Sequence, residues 1–191
     1  MRARLASRNE NKLRELARVL DGWQLELLEA DGYPPEEGAT YYENALAKAR
    51  HGVKLAGDSW VLGEDSGLEV EGLRGRPGIH SARFGGSEPV GRLLGELHDV
   101  EGDGRRARYV CELVALSPSG EKLHGTGVLD GRIADEPRGD EGFGYDPIFV
   151  PLGEERTVAE LGNEWKAENS HRARAARDLQ RAMSHRGTAG V

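Results

Sequence analysis

The run ARYVCELVAL, residues 107–116, is apolar at most positions, and a second extended run follows at about 122–134 after Ser117-Pro118-Ser119-Gly120. That tetrapeptide is turn chemistry, so the segment predicts two long strands flanking a short turn. The rest of the chain supplies further strands and the helices to cover a sheet. Residues 2–6 read as a short strand ending at Ser7-Arg8-Asn9. Leu13, Leu16, Ala17 and Leu20 then fall at i, i+3, i+4 and i+7, one face of a helix that Asp21-Gly22 stops. QLELLEA (24–30) reads as a second strand. Thr40 caps a helix over 40–56, with Glu43 completing a capping box. After WVLGEDSGLEV (60–70) come a Gly/Pro-rich loop, a helix near 88–98, a short TVAEL helix and a last helix at about 169–184. The pattern is one mixed α/β domain over residues 1–191, long enough for a sizeable core drawn out into two lobes.

Composition narrows the function classes. Charged residues make up 31% and hydrophobic residues 37%, the balance of a globular protein. A net charge of −7 argues against nucleic-acid binding by the whole surface and leaves room for a local basic cleft. One cysteine, Cys111, excludes an internal disulfide framework, and its apolar surroundings suit a buried small hydrophobe better than a nucleophile. There is no run of about 18 apolar residues, and MRARLASRNENK lacks the apolar stretch of a signal peptide. A cytoplasmic location without a membrane partner is the expectation. No GxxxxGK(S/T) phosphate loop, GxGxxG fingerprint or HExxH helix is present, and the six histidines (51, 80, 98, 124, 171, 185) show no metal-ligand spacing. Carboxylates, glycine loops and scattered cations remain, which suits Mg²⁺ and a phosphate-bearing ligand.

Four segments carry that chemistry. In WVLGEDSGLEV an apolar run meets Glu64, Asp65, Ser66 and Gly67 and then resumes. Buried carboxylates are costly unless paired or bound to a cation. The acids are therefore either a solvated turn or the chemical centre, held at a strand end. SRNENK, at a strand–helix junction, offers outward N–H groups with Asn9 and Lys12, an anion site whose ordinary reading is a loop and a solvated lysine. GFGYDP sets two aromatics beside glycines; its faces suit a base, or Phe143 is simply tucked into the core. Ser170, His171 and Arg172 open the last helix, where a solvated face is the plain alternative.

Taken together these segments resemble the inosine triphosphate pyrophosphatases, also called dITP/XTP or non-standard purine nucleoside triphosphate pyrophosphatases. SRNENKLREL, YYENALAKAR, GEDSGLEVEGLRGRPGIHSARFGG, ARYVCELVAL, GFGYDPIFVP with TVAEL, and K-x-x-x-SHRARA stand in that family's order, from Ala6 to about Ala176. The chain departs from it at Ser7-Arg8-Asn9, where T-G-N is usual, at Glu64-Asp65, where two aspartates are usual, and at Trp165.

The resemblance implies a long, bent mixed sheet with helices in two lobes and a substrate cleft between them. It implies a homodimer that uses Mg²⁺ to split a purine nucleoside triphosphate into monophosphate and pyrophosphate. It makes Asp65 metal ligand and general base, with Glu36 as the second metal carboxylate and Glu37 or Glu64 as rivals. Ser7, Arg8, Asn9, Glu10, Asn11, Lys12, Ser66, Phe143, Gly144, Tyr145, Asp146, Lys166, His171 and Arg172 become substrate contacts. Lys166 and Arg172, which only donate, match the O6 and N7 acceptors of a 6-oxo purine. Two other classes stay open. Asp65-Ser66-Gly67 matches the D-(S/T)-G of aspartic proteases acting as dimers. Residues 166–186 hold six Lys or Arg against two acids, the mark of an RNA-binding tail, although Ala176, Leu179 and Met183 form a core-facing stripe.

Overall fold

The computed structural model describes residues 1–187. Among them, β1 (Arg2–Leu5), β2 (Gln24–Leu27), β3 (Trp60–Val70), β4 (Arg106–Leu116), β5 (Lys122–Ile133) and β6 (Phe149–Pro151) form one sheet in the order β2-β1-β3-β4-β5-β6. β1 is parallel to β2 and β3, whereas β5 and β6 are antiparallel, so the sheet is mixed and the fold α/β as expected. The helices are α1 (Glu10–Val19), α2 (Tyr41–Val53), α3 (Pro89–Glu96), α4 (Val158–Asn169) and α5 (His171–Gly187).

The chain folds as two compact units, each assembled from segments far apart in sequence. Among the described residues, the first takes Met1–Asp65, Cys111–Gly127 and the chain from His171 to Gly187; the second takes Ser66–Val110 and Val128–Ser170. In the first, Leu5, Leu16, Leu62, Leu113 and Leu179 pack around Cys111 with no exposure. In the second, Leu68, Leu93, Ile133, Ile148 and Phe149 do the same, with the Tyr109 and Phe149 rings 4.6 Å apart. Burying each such side chain contributes about 1.5–3 kcal/mol.

Local chemistry sets the helix starts. Asn9 caps α1 by accepting from the backbone of Asn11 and Lys12. The expected capping box on α2 is present, Thr40 accepting from Glu43 N while the Glu43 carboxylate accepts from Thr40 N. Thr157 and Glu160 do the same for α4. Two glycines of the first unit let helices lie directly on strands. A Cβ on Gly63 of β3 would stand 1.9 Å from the Ala45 carbonyl of α2, and one on Gly127 of β5 the same distance from that of His171 at the start of α5.

Several expectations need correction. Glu64 and Asp65 lie neither in a turn nor at a strand end, because β3 runs unbroken from Trp60 to Val70. Pairing with cations, described below, makes buried carboxylates tolerable in mid-strand. Ala17 is exposed and Met183 is 38% exposed, so each apolar stripe is narrower than its periodicity implied. The TVAEL helix is not short: it continues to Asn169 through a break at Gly162, whose φ of 86° leaves the helical region.

Candidate active site

Successive residues of a strand point to opposite faces. In β3 this sends Glu64 toward α1 and α5 and Asp65 toward α2. On α2, Asn44 and Lys48 are four residues apart and share the face that Gly63 lets close onto β3. Asn44 Nδ2 donates to Asp65 Oδ2 at 3.1 Å and Lys48 Nζ to Asp65 Oδ1 at 2.9 Å. Lys48 Nζ also lies 2.5 Å from Glu36 Oε1, in the loop before α2. Burial raises the Asp65 pKa above its ordinary value, although Lys48 and Asn44 pull the other way. Burial would lower that of Lys48, but Asp65 and Glu36 hold it up.

On the other face, Lys12 and Glu15 stand three residues apart on α1, so both side chains reach the same place. Lys12 Nζ lies 2.5 Å from Glu64 Oε2. Arg172, in the first turn of α5, donates from Nε and Nη2 to Glu64 Oε1 and from Nη1 to Glu15 Oε2. Glu64 is wholly buried, which would raise its pKa, yet Lys12 and Arg172 hold the carboxyl well below the ordinary range. Cys111 Sγ sits 3.6 Å from Glu64 Oε1; burial and that carboxylate push its thiol well up, which keeps it protonated and inert as a nucleophile.

The second unit holds a different group. Lys166 Nζ, on α4, lies 2.6 Å from Asp146 Oδ2 and 4.6 Å from the centre of the Phe143 ring. Asp146 also accepts from Phe143 N and from the Tyr109 hydroxyl. Phe143 is half-buried, whereas Tyr145 is buried in the core with its hydroxyl donating to Ser81 O, and burial pushes its pKa up to about 12.

Of the residues 7–12 expected to hold phosphate, only Lys12 joins a buried cluster. The Asn11 and Lys12 N–H groups donate to Asn9 Oδ1, and Asn9 N donates to Ser7 Oγ, so this helix start caps itself. Glu10 is exposed and pairs with Arg14, which also donates to Asn11. Arg8 turns to the Asp31 carbonyl and the Tyr33 ring. Ser66 is half-buried, Gly144 exposed, His171 buried, and Glu37 exposed. A cavity of about 600 Å³ in the first unit is lined in part by Ser7 and Arg8. A larger one of about 720 Å³ in the second, beside Arg106, Arg108 and Arg132, contains none of the expected site residues. The sequence reading passed over Glu15, Asn44, Lys48 and Tyr109. The i,i+4 spacing of Asn44 and Lys48 within YYENALAKAR was the available signal.

The family model of the Ham1 family matches residues 3–189. The chain belongs to the Ham1 family. It is 40% identical to the dITP/XTP pyrophosphatase of Geobacter sulfurreducens, over 98% of this chain and 97% of that one. It is 44% identical to the protein of the same description from Thermus thermophilus, over 95% and 91%. Among solved structures, the Ham1 protein of Staphylococcus aureus superposes with a TM-score of 0.84 at 34% identity, covering 97% of this chain and 100% of that one. Within this Ham1-family fold, the resemblance drawn from the motifs and the mixed-sheet architecture agree.

Proposed function

We propose that the chain hydrolyses non-standard purine nucleoside triphosphates (ITP, dITP, XTP) to the monophosphate and pyrophosphate with Mg²⁺, and so clears them from the nucleotide pool. The observation that carries this is the pair of carboxylates, Asp65 and Glu36, converging on a single cation position in a chain whose relatives are named dITP/XTP pyrophosphatases.

Among the described residues no three His, Cys, Asp or Glu side chains gather as a metal cage. Mg²⁺ at a phosphate site needs no such cage, since one or two carboxylates plus substrate oxygens suffice. Lys48 Nζ stands between Asp65 and Glu36 as a cation already does, so the donor set fits. When bound there, Mg²⁺ would neutralise phosphate charge and polarise the phosphorus. Glu64 faces the other side of β3, which leaves Glu36 as the better partner for Asp65.

Asp65 is oriented by Asn44 and Lys48, and its raised pKa makes it a stronger acceptor for the proton of an attacking water. Lys12 offers an ammonium to the pyrophosphate leaving group; reactions of this kind depend mainly on positioning and charge. Base choice falls to the second unit. The Phe143 face suits stacking, and Lys166 beside it donates to the 6-oxo acceptor, which adenine replaces with a donor. Arg172, also expected at the base, directs its nitrogens at Glu64 and Glu15, as Lys166 directs its ammonium at Asp146, so both expected donors are ion-paired in this structure.

Neither alternative gains a feature. A dimeric aspartic dyad would bring Asp65 of two chains together to share one proton, whereas Asp65 here is buried and already held by Lys48 and Asn44. The basic tail buries Arg172, Ala173, Ala175, Ala176 and Leu179 in the first unit. No described helix is long and apolar enough to cross a membrane. A pyrophosphate-release screen over purine triphosphates, with Mg²⁺ and with EDTA, tests the proposal. Release from ITP and XTP but not ATP, abolished by EDTA, is expected; equal release from ATP, or none from ITP, sinks it.

A further inference from the structure

Glu64 divides its work between its two oxygens. Oε2 lies 2.5 Å from Lys12 Nζ, while Oε1 accepts from Arg172 Nε at 3.1 Å and Nη2 at 2.9 Å. The Glu64 side chain has no exposure and that of Arg172 has 3%, but that of Lys12 has 15%. Solvent therefore reaches the cluster at Lys12 and at Glu15, whose side chain is 13% exposed, and not at Glu64 or Arg172. Breaking a buried pair is costly mainly because it strands an unpaired charge. Here, drawing Lys12 away leaves Glu64 with two guanidinium donors, and Arg172 still holds Glu15 as well. The pair opens with Glu64 still held by Arg172 through Oε1, and the oxygen that loses its cation is Oε2.

We propose that Glu64 is a positioning residue acting through Lys12. It serves as the lysine's internal counter-anion, which an incoming phosphate displaces and which retakes the ammonium as pyrophosphate departs. This rests on the reading of Lys12 as a phosphate contact. The consequence has a definite sign: a carboxylate beside an anion site weakens anion binding by repulsion and by competing for the lysine. Removing its charge tightens the site, whereas loss of a metal ligand or of a structural brace loosens it.

The test is calorimetric titration of the full chain with inorganic pyrophosphate in EDTA, where no metal contributes. Glu64→Gln is expected to lower the Kd roughly tenfold, and Glu64→Asp, whose carboxylate is withdrawn by one methylene, roughly threefold. Lys12→Met weakens binding, and Glu64→Gln adds no tightening in that background. Steady-state turnover should show KM and kcat for ITP falling together in Glu64→Gln, because product leaves more slowly. Unchanged or weaker pyrophosphate binding in either Glu64 variant overturns the inference. So does equal tightening without Lys12, or no binding by wild type and Glu64→Gln alike. Where Glu64→Gln fails to fold, Glu64→Asp, which keeps a carboxylate for Arg172, decides alone. Wild-type pyrophosphate release from ITP is scored separately. Its absence sinks the functional reading, whereas a flat Glu64 series beside an active wild type sinks only this one.

Discussion

In the first unit, Lys12, Glu15, Glu64 and Arg172 meet on one side of β3 and Glu36, Lys48 and Asp65 on the other, Glu64 and Asp65 each being held by more than one polar neighbour or cation. In the second unit a buried ion pair, Lys166 with Asp146, sits against the Phe143 ring and under the Tyr109 hydroxyl. The first arrangement suits a ligand that is all charge, since it offers ammonium groups already balanced by carboxylates. The second suits a flat, weakly polar ligand, with one donor fixed beside an aromatic face. On the proposed function, the first set would handle phosphate and the second the base.

Asp65→Asn breaks the first set most severely. It keeps the shape and the Asn44 and Lys48 neighbours but removes the proposed proton acceptor, so kcat/KM for ITP should fall about 10³-fold. A purified, folded variant retaining more than a tenth of wild-type pyrophosphate release would remove Asp65 from that role.

Gly63→Ala attacks the same set through the fold. Its methyl group would meet the Ala45 carbonyl, forcing α2 with Asn44 and Lys48 off β3. A loss of about 3 kcal/mol in denaturant unfolding is expected, and a wild-type midpoint would mean that α2 does not rest on Gly63.

Lys12→Ala and Lys166→Met sharpen the contrast as a pair. The first should lower kcat/KM by about one to two decades for ITP, XTP and any other triphosphate alike, since phosphates carry no base identity. The second should lower the ITP/ATP ratio by about one decade. A base-selective defect in Lys12→Ala, or a uniform one in Lys166→Met, would reverse the division of labour.

The smallest effect lies outside both sets. Asp178 on α5 accepts from Thr126 N and pairs with Arg181, and its pKa is lowered, chiefly by that backbone bond. A lowered carboxylate pKa stabilises the fold above its ordinary value of 3.8, and the contribution is lost as pH falls through the folded value. Being partly exposed, it is worth under about 1 kcal/mol. Asp178→Asn should unfold slightly more easily at pH 7 and match wild type in strong acid, and a gap that persists there would point to lost packing.

Much of this was legible along the chain. The capping box at Thr40 and Glu43, the helix start at Asn9 and the long strands around Ser117–Gly120 depend on neighbours a few residues apart, which a linear reading can see. The order of the motifs carried the family for the same reason. What only the tertiary structure decided is which charges meet. Glu64 and Asp65 read as an interruption of a strand because carboxylates are costly to bury, and nothing near them in sequence offsets that cost. The offset comes from Lys12, Lys48 and Arg172, at separations of up to 108 residues. Whether a buried acid is tolerable depends on distance in space, and Gly63 and Gly127, which let the helices of Lys48 and Arg172 lie on the sheet, look in the sequence like turns.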